Sequence, residues 1–293
     1  MTKLLMLTLV VLAAIAGPAE PAWAIAHGED APAGDYPFSV RLTMTGIPTA
    51  DSGARDSWCS GALVAPRWVI TAGHCFRDAG DQRVSRPVAR RTTATIGRGD
   101  LSRPGGHEVE VVAVRQAETA DVALAELATP VTDVTPLLVG DAPPAAGETV
   151  RLTGFGQTDA DSGAPARLQT GEFVIGRIGD SDLEVSGRSP RPDTSACPHD
   201  SGGPYFREAP GAAPVLVGVV SNGPTCPHKG ADVSARTDNL AGWIAGVTGA
   251  RPNPLLDPSL WLRLGGGALA LLLVVLAIRA GRQRTTGAAV RRA

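Results

Sequence analysis

The middle of this chain is a succession of short apolar runs, each cut off by Gly, Pro, Asp or Ser. Runs of that length suit strands closed by turns better than helical bundles. Composition points the same way: 35 Gly and 24 Pro stand among 293 residues, and aromatic residues make up only 4%. Strand-type runs cover residues 36–45, 61–71, 92–96, 108–115, 122–127, 149–154, 171–178 and 215–221. Turn signals stand between them at Gly53, Gly80-Asp81, Pro104-Gly105-Gly106 and Gly179-Asp180. Many short strands at such spacing predict an all-β sandwich or barrel. Residues 237–247 read differently, because Leu240, Trp243, Ile244 and Val247 recur at helical spacing and predict a closing helix. The length allows one large domain or two small ones. A formal net charge of −2 leaves no electrostatic footprint for a nucleic-acid partner.

The two ends carry different signals. Lys3, the apolar run 4–16, the helix breakers Pro18 and Pro21, and Ala22-Trp23-Ala24 make a secretory signal peptide with an A-x-A cleavage site. A membrane anchor is the alternative there, but the run is too short to span. Residues 260–278 are apolar except for Arg263, and Arg279, Arg282, Arg284, Arg291 and Arg292 follow. A helix of about 19 residues rises roughly 28 Å, close to a bilayer core. The basic flank predicts a cytoplasmic tail. Arg263 can snorkel beside Trp261 near the outer end. The expected layout is a signal peptide over 1–24, a folded domain over 25–249 and a Pro-rich stalk over 250–258. A transmembrane helix over 259–279 and a basic cytoplasmic tail over 280–293 complete it. This predicts a single-pass protein of the cell membrane with its folded domain outside.

Three motifs carry chemistry. Thr71-Ala72-Gly73-His74-Cys75 ends an apolar strand, and Asp121-Val122-Ala123-Leu124 lies further on. Cys197-Pro198-His199-Asp200-Ser201-Gly202-Gly203-Pro204 sets a serine in a tight loop, where glycines let backbone approach a substrate and Asp200 can anchor the turn. A serine hydroxyl is a poor nucleophile near neutral pH. It needs a base to take its proton, and the base needs a carboxylate to fix its tautomer. His74, Asp121 and Ser201 supply those three groups, although a lone His beside a Cys, or a lone Asp opening a strand, is usually structural. Cys59, Cys75, Cys197 and Cys226 make an even set in an exported chain, which reads as two disulfides with three possible connectivities. No C-x-x-C pair points to zinc.

In their order and with their flanks, these motifs resemble the trypsin/chymotrypsin-like serine proteases, over about residues 25–247. The chain order His, Asp, Ser matches that family and differs from two unrelated triad orders. The resemblance implies two six-stranded antiparallel β-barrels with the active site in the cleft. It implies disulfides Cys59–Cys75 and Cys197–Cys226, one beside His74 and the other beside Ser201. It also implies Ser201 as nucleophile, His74 as base and then acid, Asp121 as orienter, and an oxyanion hole of the Ser201 and His199 backbone N–H groups. The family usually has Gly where His199 stands. A free Ile25 amine is expected to pair with Asp200, and Ile25-Ala26-His27-Gly28 begins directly after Ala24.

By the same resemblance Ser195 lies at the base of the specificity pocket, where trypsin-like enzymes carry Asp. Ser221-Asn222-Gly223 is the strand edge that pairs with substrate, with Asn222 in place of the usual Trp. Counting back from Trp243 puts Asp232 near the pocket floor, where it would favour Arg or Lys in the substrate. A surface-loop Asp is the expected reading at that position. The whole reads as an exported, membrane-tethered serine endopeptidase of a bacterial-type membrane. It acts on proteins or peptides and needs no cofactor or metal. The alternative is a protease-like scaffold that binds a protein partner at the cell surface without cutting, which His199 and Asn222 favour. Nothing in the sequence sets the oligomeric state.

Overall fold

A computed structural model of the chain describes residues 25–157 and 165–249. The expected signal peptide, stalk, transmembrane helix and tail lie outside the described residues. Among the described residues no helix is long and apolar enough to cross a membrane. All of them belong to the unit Met1–Gly249.

Six strands close the first barrel: β2 (Ser39–Pro48), β3 (Ala54–Ala65), β4 (Trp68–Thr71), β5 (Arg91–Ile96), β6 (His107–Gln116) and β7 (Ala123–Leu127), where β1 (Glu29–Asp30) is a short strand outside it. Their order around the ring is β2-β3-β4-β7-β6-β5. Every pairing is antiparallel, and β2 closes on β5 from Val40↔Ile96 to Thr45↔Arg91. Alternation drives closure: Val40, Leu42 and Met44 on β2 point into a core shared with Ile70, Ala94, Ile96, Leu124 and Leu127. The single run expected over 61–71 is two strands. Pro66 withholds an N–H from the ladder, and the chain turns at Pro66-Arg67 between β3 and β4.

The second barrel takes β9 (Thr149–Gly154), β10 (Gln169–Ile178), β11 (Asp182–Ser189), β12 (Pro204–Arg207), β13 (Val215–Asn222) and β14 (Ala231–Arg236). They run β10-β11-β14-β13-β12-β9, and β9 pairs with both β12 and β10, which completes the ring. β1 adds to β10, and β8 (Leu138–Val139) adds to β13. The apolar pattern does not mark β11, β12 or β14, because polar side chains such as Asp232 and Ser234 sit buried on β14. The two barrels meet through rings. Phe38 and Phe206 lie edge to face with centroids 5.3 Å apart, and Tyr36 covers both. The closing helix α1 (Ala241–Thr248) follows a 3-10 turn over Asp238–Leu240, and Gly249 ends it in the left-handed region.

Candidate active site

β4 delivers His74. The strand ends at Thr71, and a 3-10 turn over Gly73–Phe76 lifts the imidazole out of the barrel. Cys75 in that turn is bonded to Cys59 on β3, so a disulfide staples the turn to the barrel wall. The Gln116 side chain donates to the Gly73 carbonyl at 2.9 Å and fixes the turn from β6. Asp121 stands just before β7. One of its oxygens accepts the His74 backbone N–H at 2.8 Å, and the other lies 2.7 Å from His74 Nδ1. A carboxylate only accepts, so Nδ1 carries the proton and Nε2 is left to accept the Ser201 hydroxyl, 2.8 Å away.

Burial pushes the Asp121 carboxyl up. The bonds and charge of His74 and the Ser221 hydroxyl outweigh it and bring the pKa down to about 2. Ser221 Oγ donates to Asp121 at 2.8 Å, a role the sequence reading did not assign. Arg83 is a second unforeseen neighbour. Its guanidinium donates to the Ala120 carbonyl and lies 3.6 Å from Asp121. Neither contact with Asp121 has a local signal, since each reaches the site across the fold.

Ser201 sits in a turn between the barrels. The Ser201 carbonyl accepts the Ser60 N–H from β3 at 3.0 Å, and Gly202 N–H donates to Val220 on β13 at 2.8 Å. Gly202 has φ +82°, and a Cβ there would lie 2.0 Å from Thr71 Oγ1, so only glycine fits. The fully buried Asp200 carboxyl accepts N–H groups from Cys197 at 3.0 Å and Gly156 at 2.8 Å. It has no cation beside it among the described residues, and burial holds its pKa well above the usual carboxylate range. Ile25 is likewise buried, in the second-barrel core. Cys197–Cys226 ties this turn to the far wall of the cleft, so both pairings implied by the resemblance form.

His199 adopts φ +75°, a left-handed conformation that costs a non-glycine residue roughly 1–2 kcal/mol. Its ring stacks on Trp58, with centroids 3.6 Å apart and planes within 15°. Nδ1 lies 2.7 Å from the Trp58 carbonyl, which accepts its proton. A stacked pair and a hydrogen bond, each about 1 kcal/mol, offset the backbone cost. Burial, aided by Arg41 and Arg55, lowers the ring's pKa and keeps it neutral.

A cavity of about 360 Å³ opens beside His74 and Ser201. Its walls include Ala196, Ser221, Gly223 and Asp232. The structure places both pocket candidates. Ser195 adjoins the wall residue Ala196. It is fully buried behind the wall, paired to Ala26 through its backbone, and its hydroxyl accepts the His228 N–H at 3.3 Å. Asp232 is not a surface-loop residue. It is 2% exposed and held by the Ala196 N–H and His228 Nε2, each at 3.0 Å. Its register opposite Val185 on β11 turns the carboxylate inward. A Cβ at Gly223 would lie 2.2 Å from that carboxylate, so the glycine leaves it room. Asn222 is exposed, and its side-chain oxygen accepts the Gly223 N–H at 2.9 Å.

A model of the trypsin family matches residues 25–244. The chain belongs to the trypsin family. It carries a trypsin-like serine protease domain of the hydrolase class, with two disulfides. Among its relatives are Serine protease 56 of Mus musculus, 30% identical over 78% of this chain, and Serine protease 56 of Homo sapiens, 32% identical over 70%. The matches span 39% and 35% of those two proteins, little more than a third of their lengths. Both relatives are mammalian and give no support to the bacterial-type, membrane-anchored member expected from the sequence.

Proposed function

We propose that this trypsin-family domain is a serine endopeptidase. Ser201 Oγ attacks the scissile carbonyl carbon while its proton passes to His74 Nε2. The carbonyl oxygen becomes an oxyanion held by the His199 and Ser201 backbone N–H groups. Collapse breaks the C–N bond, and the leaving amine takes the proton from Nε2. Water then repeats the sequence on the acyl-enzyme, with His74 as base. Asp121 keeps the Nδ1 proton in place and stabilises the imidazolium. The observation that carries this reading is the continuous line from Asp121 to His74 to the Ser201 hydroxyl, at 2.7 and 2.8 Å. Fluorophosphonate labelling tests it. Wild-type protein should label and Ser201→Ala should not; folded wild type that stays unlabelled favours the non-cutting scaffold.

The buried Asp232 in the cavity wall supports Arg or Lys as the residue preceding the cleaved bond. The edge Ser221-Asn222-Gly223 pairs with the substrate backbone as an added strand. Asp200, buried with no cation beside it among the described residues, supports pairing with a free Ile25 amine, because a buried carboxylate is costly until it is paired. N-terminal sequencing of active protein should begin at Ile25; a start at His27 sinks that pairing. The signal-peptide pattern over 1–24 supports export. The apolar run 260–278 with its arginine flank supports a single-pass tether with the domain on the outer side of a cell membrane.

A further inference from the structure

The loop that bears Ser201 is gripped from one side by Asp200. It is gripped from the other side by β3, the strand of the opposite barrel. Three residues of β3 are involved. Ser60 N–H donates to the Ser201 carbonyl at 3.0 Å, and Ser60 Oγ donates to the His199 carbonyl at 3.1 Å. Trp58 holds the His199 ring by stacking at 3.6 Å and by its own carbonyl at 2.7 Å. Cys59 between them is pinned by its disulfide to Cys75, next to His74. Trp58 is itself fixed. Its indole N–H donates to the Phe155 carbonyl at 2.8 Å, and the Arg41 guanidinium carbon lies 5.0 Å from its ring centroid.

A left-handed residue with a side chain prefers to leave that region, and leaving it turns the His199 peptide and its N–H. Among the described residues, the His199 and Ser201 N–H groups have no backbone acceptor. The turn's own bonds use the N–H groups of Asp200 and Gly203, and Gly202 N–H goes to Val220 on β13. The orientation of the His199 peptide therefore depends on what holds the residue at φ +75°. We propose that Trp58 is a positioning residue that, by clamping the His199 ring, holds the His199 backbone N–H in the oxyanion hole. The histidine replaces the freedom of glycine with a side-chain anchor, and the anchor lies on the barrel that also carries His74 and Asp121. The neutral ring suffices, because the Trp58 carbonyl needs only the Nδ1 proton. This inference rests on the endopeptidase reading above and adds a second support to the loop, independent of the one at Asp200.

The test is the second-order rate of inactivation by a fluorophosphonate, whose phosphoryl oxygen needs the same two N–H groups. The variants are Trp58→Phe, Trp58→Leu, His199→Gly and His199→Ala, with melting midpoints recorded for each. Loss of one hole donor typically costs ~10²–10³-fold, so a loosened donor corresponds to about 10-fold. Trp58→Phe keeps a stacking face and should stay within about 3-fold of wild type, while Trp58→Leu should fall about 10-fold. His199→Ala keeps the strained backbone and loses the anchor, so it should react about 5-fold or more slowly than His199→Gly, which takes φ +75° without strain. That ordering at unchanged melting midpoint is not what a merely structural ring would give. Should Trp58→Leu fail to fold, the alanine–glycine pair decides alone. His199→Ala within about 2-fold of a labelled wild type overturns the clamp and leaves the endopeptidase reading standing. Folded wild type that does not label overturns both.

Discussion

The barrel of β2 to β7 buries only neutral polar residues, namely Ser39, Ser60, Thr71, Thr92, Thr93 and Thr95. The barrel of β9 to β14 and its connections bury three carboxylic acids: Asp200, Asp232 and Asp238. Asp238 is matched by Arg236, with contacts of 2.7 and 2.9 Å. Asp200 relies on backbone N–H groups, and Asp232 on an N–H and a histidine. Tyr205 adds a fully buried hydroxyl with no partner among the described residues. Both barrels close by the same alternation, so the acids are not needed for closure. Burying a carboxyl costs stability and raises its pKa, and for Asp200 and for Asp232, even beside His228, burial is the largest cause. The first barrel thus carries His74 and Asp121 on its rim. The second buries the acids.

The sharpest way to break this division is to cut the relay that joins the two. Asp121→Asn should lower kcat about 10⁴-fold, the magnitude of the family's type case, with a melting midpoint within a few degrees of wild type. A loss below about 10-fold would mean that Asp121 only shapes the rim. Removing the disulfides tests whether the two walls are equally stapled. Cys59→Ala with Cys75→Ala opens a link across 16 residues, and Cys197→Ala with Cys226→Ala one across 29. Each should cost about 2–4 kcal/mol in denaturant unfolding, the longer link more by about 0.5 kcal/mol.

Asp232→Asn tests the charge-receiving role of the second barrel. The ratio of kcat/KM for peptides cut after Arg to those cut after Leu should fall roughly 10- to 100-fold, equal to about 1.4–2.8 kcal/mol. An unchanged ratio would make Asp232 a structural partner of His228. An effect of similar size is expected at acid pH. Asp121 has a folded pKa near 2 against an ordinary 3.8, so its contribution is present above about pH 4 and is lost as pH falls toward 2. Stability measured across that window should drop by roughly 2 kcal/mol in wild type, and Asp121→Asn should flatten the drop.

Much of this site was legible because its motifs are local. Thr71 to Cys75 and Cys197 to Pro204 each set a reactive side chain and its permissive glycines within a few residues. The structure brings His74, Asp121 and Ser201 together as their order implied. The resemblance pointed to Asp232 at the pocket, but whether it faces in or out could not be counted from one strand. Val185↔Asp232 pairing and the Ser195–Ala26 bridge decide which side chain faces the cavity. Trp58 and Arg83 carry no local mark, and the Ser221 motif gives no sign of its bond to Asp121, since each meets its partner from another strand or loop.

The amino-acid sequence by itself determined the strand-rich class, the turns, the set of reactive side chains and the even set of cysteines. These follow from periodicity, backbone permissiveness and side-chain chemistry, which act over a few residues. Tertiary structure alone decided which acid lines the cavity, which hydroxyl supports Asp121, and how a histidine is held at an oxyanion position that usually takes glycine. Those outcomes depend on register and on contacts between barrels. The side chains involved lie more than a hundred residues apart along the chain in the case of His74 with Ser201 and Trp58 with His199. Only closure of the two barrels brings them within hydrogen-bonding reach.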